Sequence, residues 1–213
     1  MSSLRISEIF VSLQGESRSI GFPTVFIRLT GCPLRCHYCD TPYAFQGGEQ
    51  ITLGEIVERV AASHVHHVCV TGGEPLAQKG VLALLGLLCD KGYEVSLETS
   101  GAIDVSDVDR RVIKVMDLKT PASGEMEKNL YENISFLTPQ DQVKFVICNR
   151  EDYQWAKEIV LHHDLPACCE ILFSPSFSQQ PPAELAQWII DDHLPVRFQM
   201  QLHKILWGEA EGR

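Results

Sequence analysis

The stretch TVFIRLTGCPLRCHYCDT (24–41) joins a run of strand-forming residues to a loop that carries three cysteines. Its first seven residues are mostly β-branched and apolar, which predicts a buried strand. Cys32, Cys36 and Cys39 follow directly, all within eight residues. Thiols concentrated at the end of a strand predict a metal-binding loop at one edge of a sheet.

Strand-like and helix-like segments alternate along the rest of the chain. Further predicted strands cover residues 67–73, 93–101, 111–119, 142–149, 169–176 and 196–202. Predicted helices cover residues 53–63, 76–91, 150–163 and 182–192, and Thr52 is the expected N-cap of the first. This alternation predicts an α/β fold of parallel βα units, with helices packed on the sheet. No repeat or linker interrupts it, so we expect one domain over residues 1–213.

Composition narrows the class of protein. The formal net charge is −10 at pH 7, whereas nucleic-acid binding depends on clustered Lys and Arg, so we expect no nucleic-acid partner. The amino-terminal residues lack a long apolar segment, and the most apolar run, 81–89, is too short to span a bilayer. These features predict a cytoplasmic protein without a membrane partner. Its eight cysteines are then expected to be reduced, including the adjacent Cys168 and Cys169, for which a redox pair is the alternative.

Polar and glycine-rich stretches fall at the carboxyl ends of five predicted strands. They are GCPLRCHYCDT (31–41), TGGEP (71–75), ETSG (98–101), DLKTP (117–121) and SPS (174–176). In parallel α/β folds and barrels, this edge of the sheet is where active sites form. Five such stretches at one edge predict a pocket.

The three-cysteine loop admits more than one kind of metal site. A zinc knuckle with His37 or Asp40 as fourth ligand usually needs two separated ligand pairs, and no second pair is evident. A [4Fe–4S] electron carrier held by protein alone normally needs four thiolates. Three thiolates in a tight loop can bind three irons of a cubane and leave the fourth iron open, which is the arrangement that a catalytic centre requires.

The C-x₃-C-x₂-C spacing, followed by GGEP (72–75), resembles the radical S-adenosylmethionine (SAM) superfamily. The resemblance implies a shortened partial (β/α) barrel, one [4Fe–4S] cluster per subunit, and SAM as the ligand of the fourth iron. In that superfamily, reductive cleavage of SAM supplies a 5′-deoxyadenosyl radical that abstracts a hydrogen from the substrate.

A closer resemblance extends through nearly the whole chain. EIFVSLQGES (8–17), FIRLTGCPLRCHYCDT (26–41), TGGEP, ETSG, DLKTP and QLHKILWG (201–208) occur in this order. Together they resemble the 7-carboxy-7-deazaguanine synthase family. The resemblance implies conversion of 6-carboxy-5,6,7,8-tetrahydropterin to 7-carboxy-7-deazaguanine with loss of ammonia, in queuosine and 7-deazapurine biosynthesis. It also implies Mg²⁺, a homodimer, and an external electron donor that is similar to flavodoxin.

The resemblance assigns roles to individual residues. Cys32, Cys36 and Cys39 would hold the cluster, and Thr41 would give its hydroxyl oxygen to Mg²⁺, although a turn-forming role is the alternative for Thr41. The residues expected to contact substrate are Leu13, Gln14, Gly15, Arg28 and Thr99. The residues expected to contact SAM are His37, Tyr38, Gly73, Glu74, Gly101, Asp117, Leu118, Lys119, Ser174, Pro175 and Ser176.

Arg28 stands out without any family comparison. Strand alternation places Phe26, Arg28 and Thr30 on one face of the predicted strand, and a charge within a buried strand needs a partner. The guanidinium group matches a carboxylate in a two-bond fork, so the carboxylate of the substrate is the expected partner. The alternative is an internal pair with Glu98 or Glu16.

Three further sequence features affect these expectations. Ser17 stands where many relatives have glycine in QGEG, which affects loop geometry. His203 and Lys204 could close the pocket or lie in a packed terminal strand. The chain continues from Trp207 to Arg213, so we assign no contact between a terminal carboxylate and substrate.

Other functions are also compatible with part of the pattern. A glycyl-radical enzyme activase is a second small radical SAM protein, although it would need a protein partner. A non-catalytic iron–sulfur or zinc module is the alternative from another class.

Overall fold

A single sheet organises the molecule. The structure is a computed structural model, and it describes residues 2–208, 210 and 212. Among these residues, nine strands form one sheet in the order β3-β1-β2-β4-β5-β6-β7-β8-β9. The strands are β1 (Ser3–Leu13), β2 (Pro23–Leu29), β3 (Glu49–Thr52), β4 (His67–Gly72), β5 (Glu94–Thr99), β6 (Ile113–Asp117), β7 (Gln142–Ile147), β8 (Glu170–Pro175) and β9 (Arg197–Phe198).

Most of the sheet is parallel, as the alternation of strands and helices predicts. From β2 to β9, each neighbouring pair of strands is parallel. Two strands were not predicted: β1 pairs antiparallel with both β2 and β3. The alternation of strands and helices does not predict these two strands, because no helix separates β1 from β2. The open, largely parallel sheet agrees with a partial barrel.

The prediction of a last strand over residues 196–202 is wrong for most of these residues. Only Arg197 and Phe198 pair with β8, and a helix begins at Leu202. The backbone N–H of Leu202 donates to the carbonyl of Gly15 at 2.9 Å instead of joining a ladder. The chain therefore leaves the sheet and crosses towards the loop after β1.

Six α-helices are found in the described chain: α1 (Leu53–Ala62), α2 (Val81–Asp90), α3 (Arg150–His162), α4 (Leu165–Cys168), α5 (Pro182–Asp191) and α6 (Leu202–Trp207). Short 3-10 helices cover Pro42–Phe45, Pro75–Ala77, Pro121–Ser123, Met126–Lys128 and Tyr131–Phe136. Thr52 caps α1 as predicted, because its hydroxyl accepts a hydrogen bond from Glu55 N at 3.3 Å. α2 begins later than predicted because a separate 3-10 turn, capped by the Glu74 side chain, precedes it.

The apolar core lies between the sheet and the helices. One buried cluster joins β1–β5 to α1 and α2, and a second joins β6–β8 to α3 and α5. Val25, Ile27 and Leu29 of β2 belong to the first cluster, whereas Phe26 and Arg28 line a cavity on the other face. The predicted alternation along β2 is therefore confirmed, and it leaves the inner face of the sheet free for polar groups.

None of the described helices is both long and apolar enough to cross a bilayer. All eight cysteines lie in the described part of the chain, and each is an unpaired thiol, including Cys168 and Cys169.

Candidate active site

A cavity of about 740 Å³ lies against the inner face of the sheet. Its wall includes the ends of β4, β5 and β6, the three-cysteine loop, and the loop after β1. The carboxy-terminal segment also contributes, through Gln201, His203 and Lys204. The predicted pocket is therefore present, and its volume lies in the range of small-molecule binding sites.

The three-cysteine loop is held from two sides. Gly31 N donates to Ala44 O, and Gly31 O accepts from Glu74 N, both at 2.8 Å. On the other side, His37 N donates to Ser123 O at 3.0 Å. Leu34 is buried within the loop. The loop is therefore fixed to the segments that follow β4 and β6.

The thiols of this loop fit an iron–sulfur cluster. Cys32, Cys36 and Cys39 all line the cavity. Burial above all raises the pKa of the Cys36 thiol to about 11; Lys119 opposes this rise, whereas Asp117 and the neighbouring Cys39 and Cys32 thiols add to it. Such thiols need a cationic metal to stay deprotonated. Among the described residues, no three His, Cys, Asp or Glu side chains are arranged to hold one metal ion, whereas a cubane takes each thiolate on a different iron.

Gly73 allows the backbone of the β4 loop to pass close to the cysteine loop. A Cβ atom at this position would lie 2.2 Å from Gly31 O and 2.8 Å from Cys32 Cβ. Both neighbours belong to the loop that carries the thiols, so only glycine fits here without moving that loop.

We therefore expect Gly73→Ala to impair cluster assembly. Because the clash is with backbone, the loop must shift, and iron content after reconstitution should fall to less than about half of the wild-type value. The measurement is iron and sulfide per chain, with Gly54→Ala as the matched control, since a Cβ at Gly54 would meet nothing within 4 Å. Equal iron content in both variants would contradict this steric role.

Four charged side chains form a connected group in the cavity wall. Lys119 Nζ lies 3.0 Å from Asp117 Oδ1. Lys144 Nζ lies 3.4 Å from Asp117 Oδ2 and 2.8 Å from Glu16 Oε2. Burial would raise the pKa of Asp117, but the two ammonium groups outweigh it and lower that pKa. Burial would lower the pKa of Lys144, but Glu16 and Asp117 raise it well above its usual value. Asp117 and Lys144 are therefore ionised at neutral pH.

Arg28 has a protein partner, but it is neither Glu98 nor Glu16. Its Nε donates to Glu8 Oε1 at 2.6 Å. Glu16 instead pairs with Lys144, and Glu98 accepts a hydrogen bond from Thr71. The alternative of an internal pair is therefore borne out, but the partners proposed from the sequence were wrong. They were wrong because β1 was not predicted, and β1 places Glu8 directly opposite Arg28. The bond to Glu8 uses Nε, so it leaves the two Nη atoms for a second ligand.

Glu74 is buried and bound by the protein. Its carboxylate accepts hydrogen bonds from Thr99 Oγ1, Ser100 N, Ser100 Oγ and Leu76 N, at 2.5–3.0 Å. The side chain therefore joins the TGGEP and ETSG loops to each other. Its predicted contact with SAM stays a prediction, and the carboxylate oxygens are already engaged.

The chain matches known proteins over nearly its whole length. The radical SAM superfamily profile matches residues 26–162. The chain is 46% identical to a 7-carboxy-7-deazaguanine synthase from Chlorobaculum tepidum, with 98% of this chain and 97% of that protein covered. It is 40% identical to a protein of the same name from Koribacter versatilis, with 96% and 97% covered. The chain belongs to the 7-carboxy-7-deazaguanine synthase family.

A solved structure agrees with this membership at the level of the fold. The crystal structure of QueE from Escherichia coli matches with a TM-score of 0.78 and 22% identity, over 94% of this chain and 95% of that chain. The superfamily uses a [4Fe–4S] cluster and SAM, so the chain is a radical SAM enzyme with the predicted α/β fold.

Most of the residues predicted for a 7-carboxy-7-deazaguanine synthase come together at the cavity. Those that line it are Leu13, Gln14, Gly15, Arg28, Cys32, Cys36, His37, Tyr38, Cys39, Thr41, Gly73, Thr99, Asp117, Lys119 and Ser176. Those that are not in its wall are Glu74, Gly101, Leu118, Ser174 and Pro175. Leu118 and Ser174 are buried, and Gly101 packs on Met116 and Leu118. Direct contacts of these five with SAM stay predictions.

The sequence interpretation left several cavity residues without a site role, among them Lys144, Glu98 and Glu16. Lys144 and Glu98 line the cavity from β7 and β5. A signal for Lys144 was present, because it interrupts the apolar strand QVKFVI (142–147) just as Arg28 interrupts β2. Glu98 lies within the ETSG stretch, where only Thr99 and Gly101 were assigned.

His203 closes one side of the cavity from α6. A Cβ at Gly15 would lie 2.2 Å from His203 Nδ1, so the imidazole sits directly on the loop after β1. Of the two predicted roles, the pocket-closing one fits this position. The part of the predicted tail at residues 209, 211 and 213 lies outside the described residues.

Proposed function

We propose that this protein converts 6-carboxy-5,6,7,8-tetrahydropterin to 7-carboxy-7-deazaguanine with loss of ammonia. The observation that carries the proposal is the placement of two different binding surfaces in one cavity. The three-thiol loop lies on one side, and the QGE loop with Arg28 lies on another. A cavity of this kind lets a cofactor and a small carboxylated heterocycle meet without a protein partner, which favours the synthase over a glycyl-radical activase.

The residues present have defined tasks in this proposal. Cys32, Cys36 and Cys39 hold the cluster, and the cluster with SAM supplies the radical chemistry when bound. Arg28 binds the carboxylate of the pterin through its Nη atoms. His203 covers the pterin loop and excludes water from that side. Asp117 and Lys119 border the SAM side of the cavity.

Thr41 is proposed as a ligand of Mg²⁺. The alternative turn role is weakened, because within the described chain its hydroxyl makes no capping hydrogen bond to the following 3-10 helix. Its Oγ1 lies 4.0 Å from Cys39 Sγ and faces the cavity. A hydroxyl oxygen suits a hard cation that also binds substrate oxygens.

We expect Thr41→Ala to lower turnover and to weaken the response to Mg²⁺, because it removes one oxygen ligand. Iron content and SAM binding should stay close to those of the wild type. Turnover is measured over a Mg²⁺ titration, with Thr41→Ser as the matched control that keeps the hydroxyl. An unaltered Mg²⁺ dependence in Thr41→Ala would remove Thr41 from the metal site.

The proposal extends to domain organisation, partners and location. One sheet that includes strands from Ser3 to Phe198 supports a single radical SAM domain over residues 1–213. The family resemblance supports a homodimer and a flavodoxin-like electron donor. The unpaired state of all eight cysteines supports a cytoplasmic location. Sedimentation of the holoenzyme tests the dimer.

The reaction is tested by anaerobic incubation of the reconstituted protein with SAM, a reductant, Mg²⁺ and carboxytetrahydropterin, followed by mass spectrometry. Formation of 7-carboxy-7-deazaguanine and ammonia in equal amounts is the expected result. Cleavage of SAM without consumption of the pterin would reject this substrate, and one zinc per chain instead of four irons would reject the enzyme class.

A further inference from the structure

The loop after β1 is held in one conformation by contacts at both ends. Gln14 N donates to Phe22 O at 2.9 Å, and Gln14 O accepts from Gly21 N at 2.8 Å. Ser17 N donates to Gln199 Oε1 at 3.0 Å, and Arg18 N donates to Gln142 Oε1 at 2.9 Å. Because three separate parts of the chain fix this loop, the side chains between these anchors have defined positions in the cavity wall.

Two polar atoms of this loop are buried and unpartnered among the described residues: Gln14 Nε2 and Glu16 Oε1. Both side chains line the cavity, and both are nine-tenths or more buried. The other end of each side chain is bound by protein. Gln14 Oε1 accepts from Glu16 N at 3.3 Å, and Glu16 Oε2 accepts from Lys144 Nζ at 2.8 Å.

These bonds settle which chemistry each free atom offers. With its oxygen engaged, the Gln14 amide presents a donor, and the Glu16 carboxylate presents a charged acceptor. A buried polar atom without a partner is unfavourable, so the pair is suited to a ligand with an acceptor beside a donor. The 2-amino-4-oxopyrimidine end of a pterin has this arrangement, with a carbonyl oxygen on one side and an exocyclic amino group on the other.

We propose that Glu16 is a specificity-determining residue that accepts a hydrogen bond from the 2-amino group of the pterin, while Gln14 Nε2 donates to its 4-oxo group. The inference rests on the proposed function and adds to it the recognition of the heterocycle, whereas Arg28 reads the carboxylate. A 2-oxo analogue places a lone pair against the Glu16 carboxylate and is rejected.

Lys144 acts on this contact as a positioning residue. Its ammonium group binds Glu16 Oε2 from β7, a strand that is 128 residues away in the sequence. It also contacts Asp117, so its own position is fixed by two carboxylates. Lys144 therefore holds one oxygen of Glu16 in the wall and leaves the other oxygen for the ligand.

The test compares two stable probes on the reconstituted holoenzyme with SAM, without oxygen. The probes are 6-carboxypterin, which has a 2-amino group and an unprotonated N1, and 6-carboxylumazine, which has a 2-oxo group and a hydrogen on N1. Loss of one charge-assisted hydrogen bond, together with lone-pair repulsion, should make the lumazine bind about tenfold to a hundredfold more weakly. Equal affinity of the wild-type enzyme for the two probes would overturn the proposal.

Substitutions at Glu16 and Lys144 test which side chains produce the preference for 6-carboxypterin over 6-carboxylumazine. In Glu16→Gln, the new amide can donate to a 2-oxo group, so the preference should fall below about threefold. Lys144→Met should lower the preference, and Lys144→Arg should restore most of it because it keeps the cation. If Glu16→Gln keeps the wild-type preference, Glu16 does not read the amino group. If Glu16→Gln does not fold, the wild-type ratio and the Lys144 variants still decide the question.

Lys114→Met is the matched control for loss of a buried lysine. Lys114 Nζ lies 3.0 Å from Asp141 Oδ2, both side chains are buried, and neither lines the cavity. This variant should lose thermal stability yet keep the preference for the pterin in its folded fraction. An equal loss of preference in Lys114→Met and Lys144→Met would show a general effect of destabilisation and overturn the positioning role.

The outcomes separate this inference from the proposed function. An enzyme that forms 7-carboxy-7-deazaguanine but binds both probes equally refutes only the role of Glu16. An enzyme that binds neither probe and does not consume the tetrahydropterin refutes the proposed function itself.

Discussion

Replacement of Cys36 by alanine is expected to abolish turnover and to remove most of the iron and the brown colour. Cys36 is one of only three thiolates that the loop offers, and a cubane with two protein thiolates is poorly held. The same result is expected for Cys32→Ala and Cys39→Ala, since all three thiols line one cavity. Iron and sulfide per chain, together with the absorbance of the cluster, measure the effect.

Cys148→Ala and Cys69→Ala are the controls for this prediction. Cys69 is fully buried in β4 and Cys148 follows β7, and neither lines the cavity. Both variants should keep four irons per chain. If Cys148→Ala lost iron while Cys36→Ala kept it, the assignment of the cluster ligands would be wrong.

The second large effect is expected for Arg28→Gln, which should bind the carboxylated pterin at least about thirtyfold more weakly. Removal of one partner from a desolvated, charge-assisted pair costs on the order of 2–5 kcal/mol. Glutamine keeps hydrogen-bonding atoms but loses the charge and the fork geometry. Pterin affinity of the holoenzyme, measured by fluorescence titration, tests this expectation.

The Arg28→Gln variant is expected to lose little stability, although it loses the contact with Glu8. The Glu8 side chain is 24% exposed and also accepts a hydrogen bond from Tyr43 at 2.9 Å, so loss of Arg28 does not strand a buried charge. Arg5→Gln is the control, because Arg5 lies outside the cavity wall on β1 and should leave pterin affinity unchanged. A large drop in thermal midpoint with pterin affinity preserved in the folded Arg28→Gln protein would reject the substrate role.

Ser17, the last residue of the QGES motif, has an unusual backbone conformation. Its φ of 68° lies in the left-handed region, where glycine is favoured. Glycine therefore suits this position, whereas serine adopts the same φ at a conformational cost, and the Ser17 hydroxyl lies 3.1 Å from Ser19 Oγ.

The sequence by itself determined the features that depend on near neighbours along the chain. The spacing of Cys32, Cys36 and Cys39 sets which thiols share one loop. The alternation along β2 sets which of its side chains face the cavity, and the alternation of strands with helices sets the parallel order of the sheet. These patterns are visible because backbone periodicity repeats over a few residues. The order of the family motifs along the chain is also visible in the sequence, and it indicates the family.

Only the tertiary structure decided which distant groups meet. Arg28 pairs with Glu8 because the unpredicted β1 lies antiparallel beside β2. Lys144 reaches Glu16 because the loop after β1 is anchored on β7, and His203 reaches Gly15 because the chain leaves the sheet after β9. A charge within a strand shows that a partner is needed, but the identity of that partner depends on which strands and loops become neighbours. Those neighbours are set by long-range packing of the sheet, which leaves no periodic signal in the sequence.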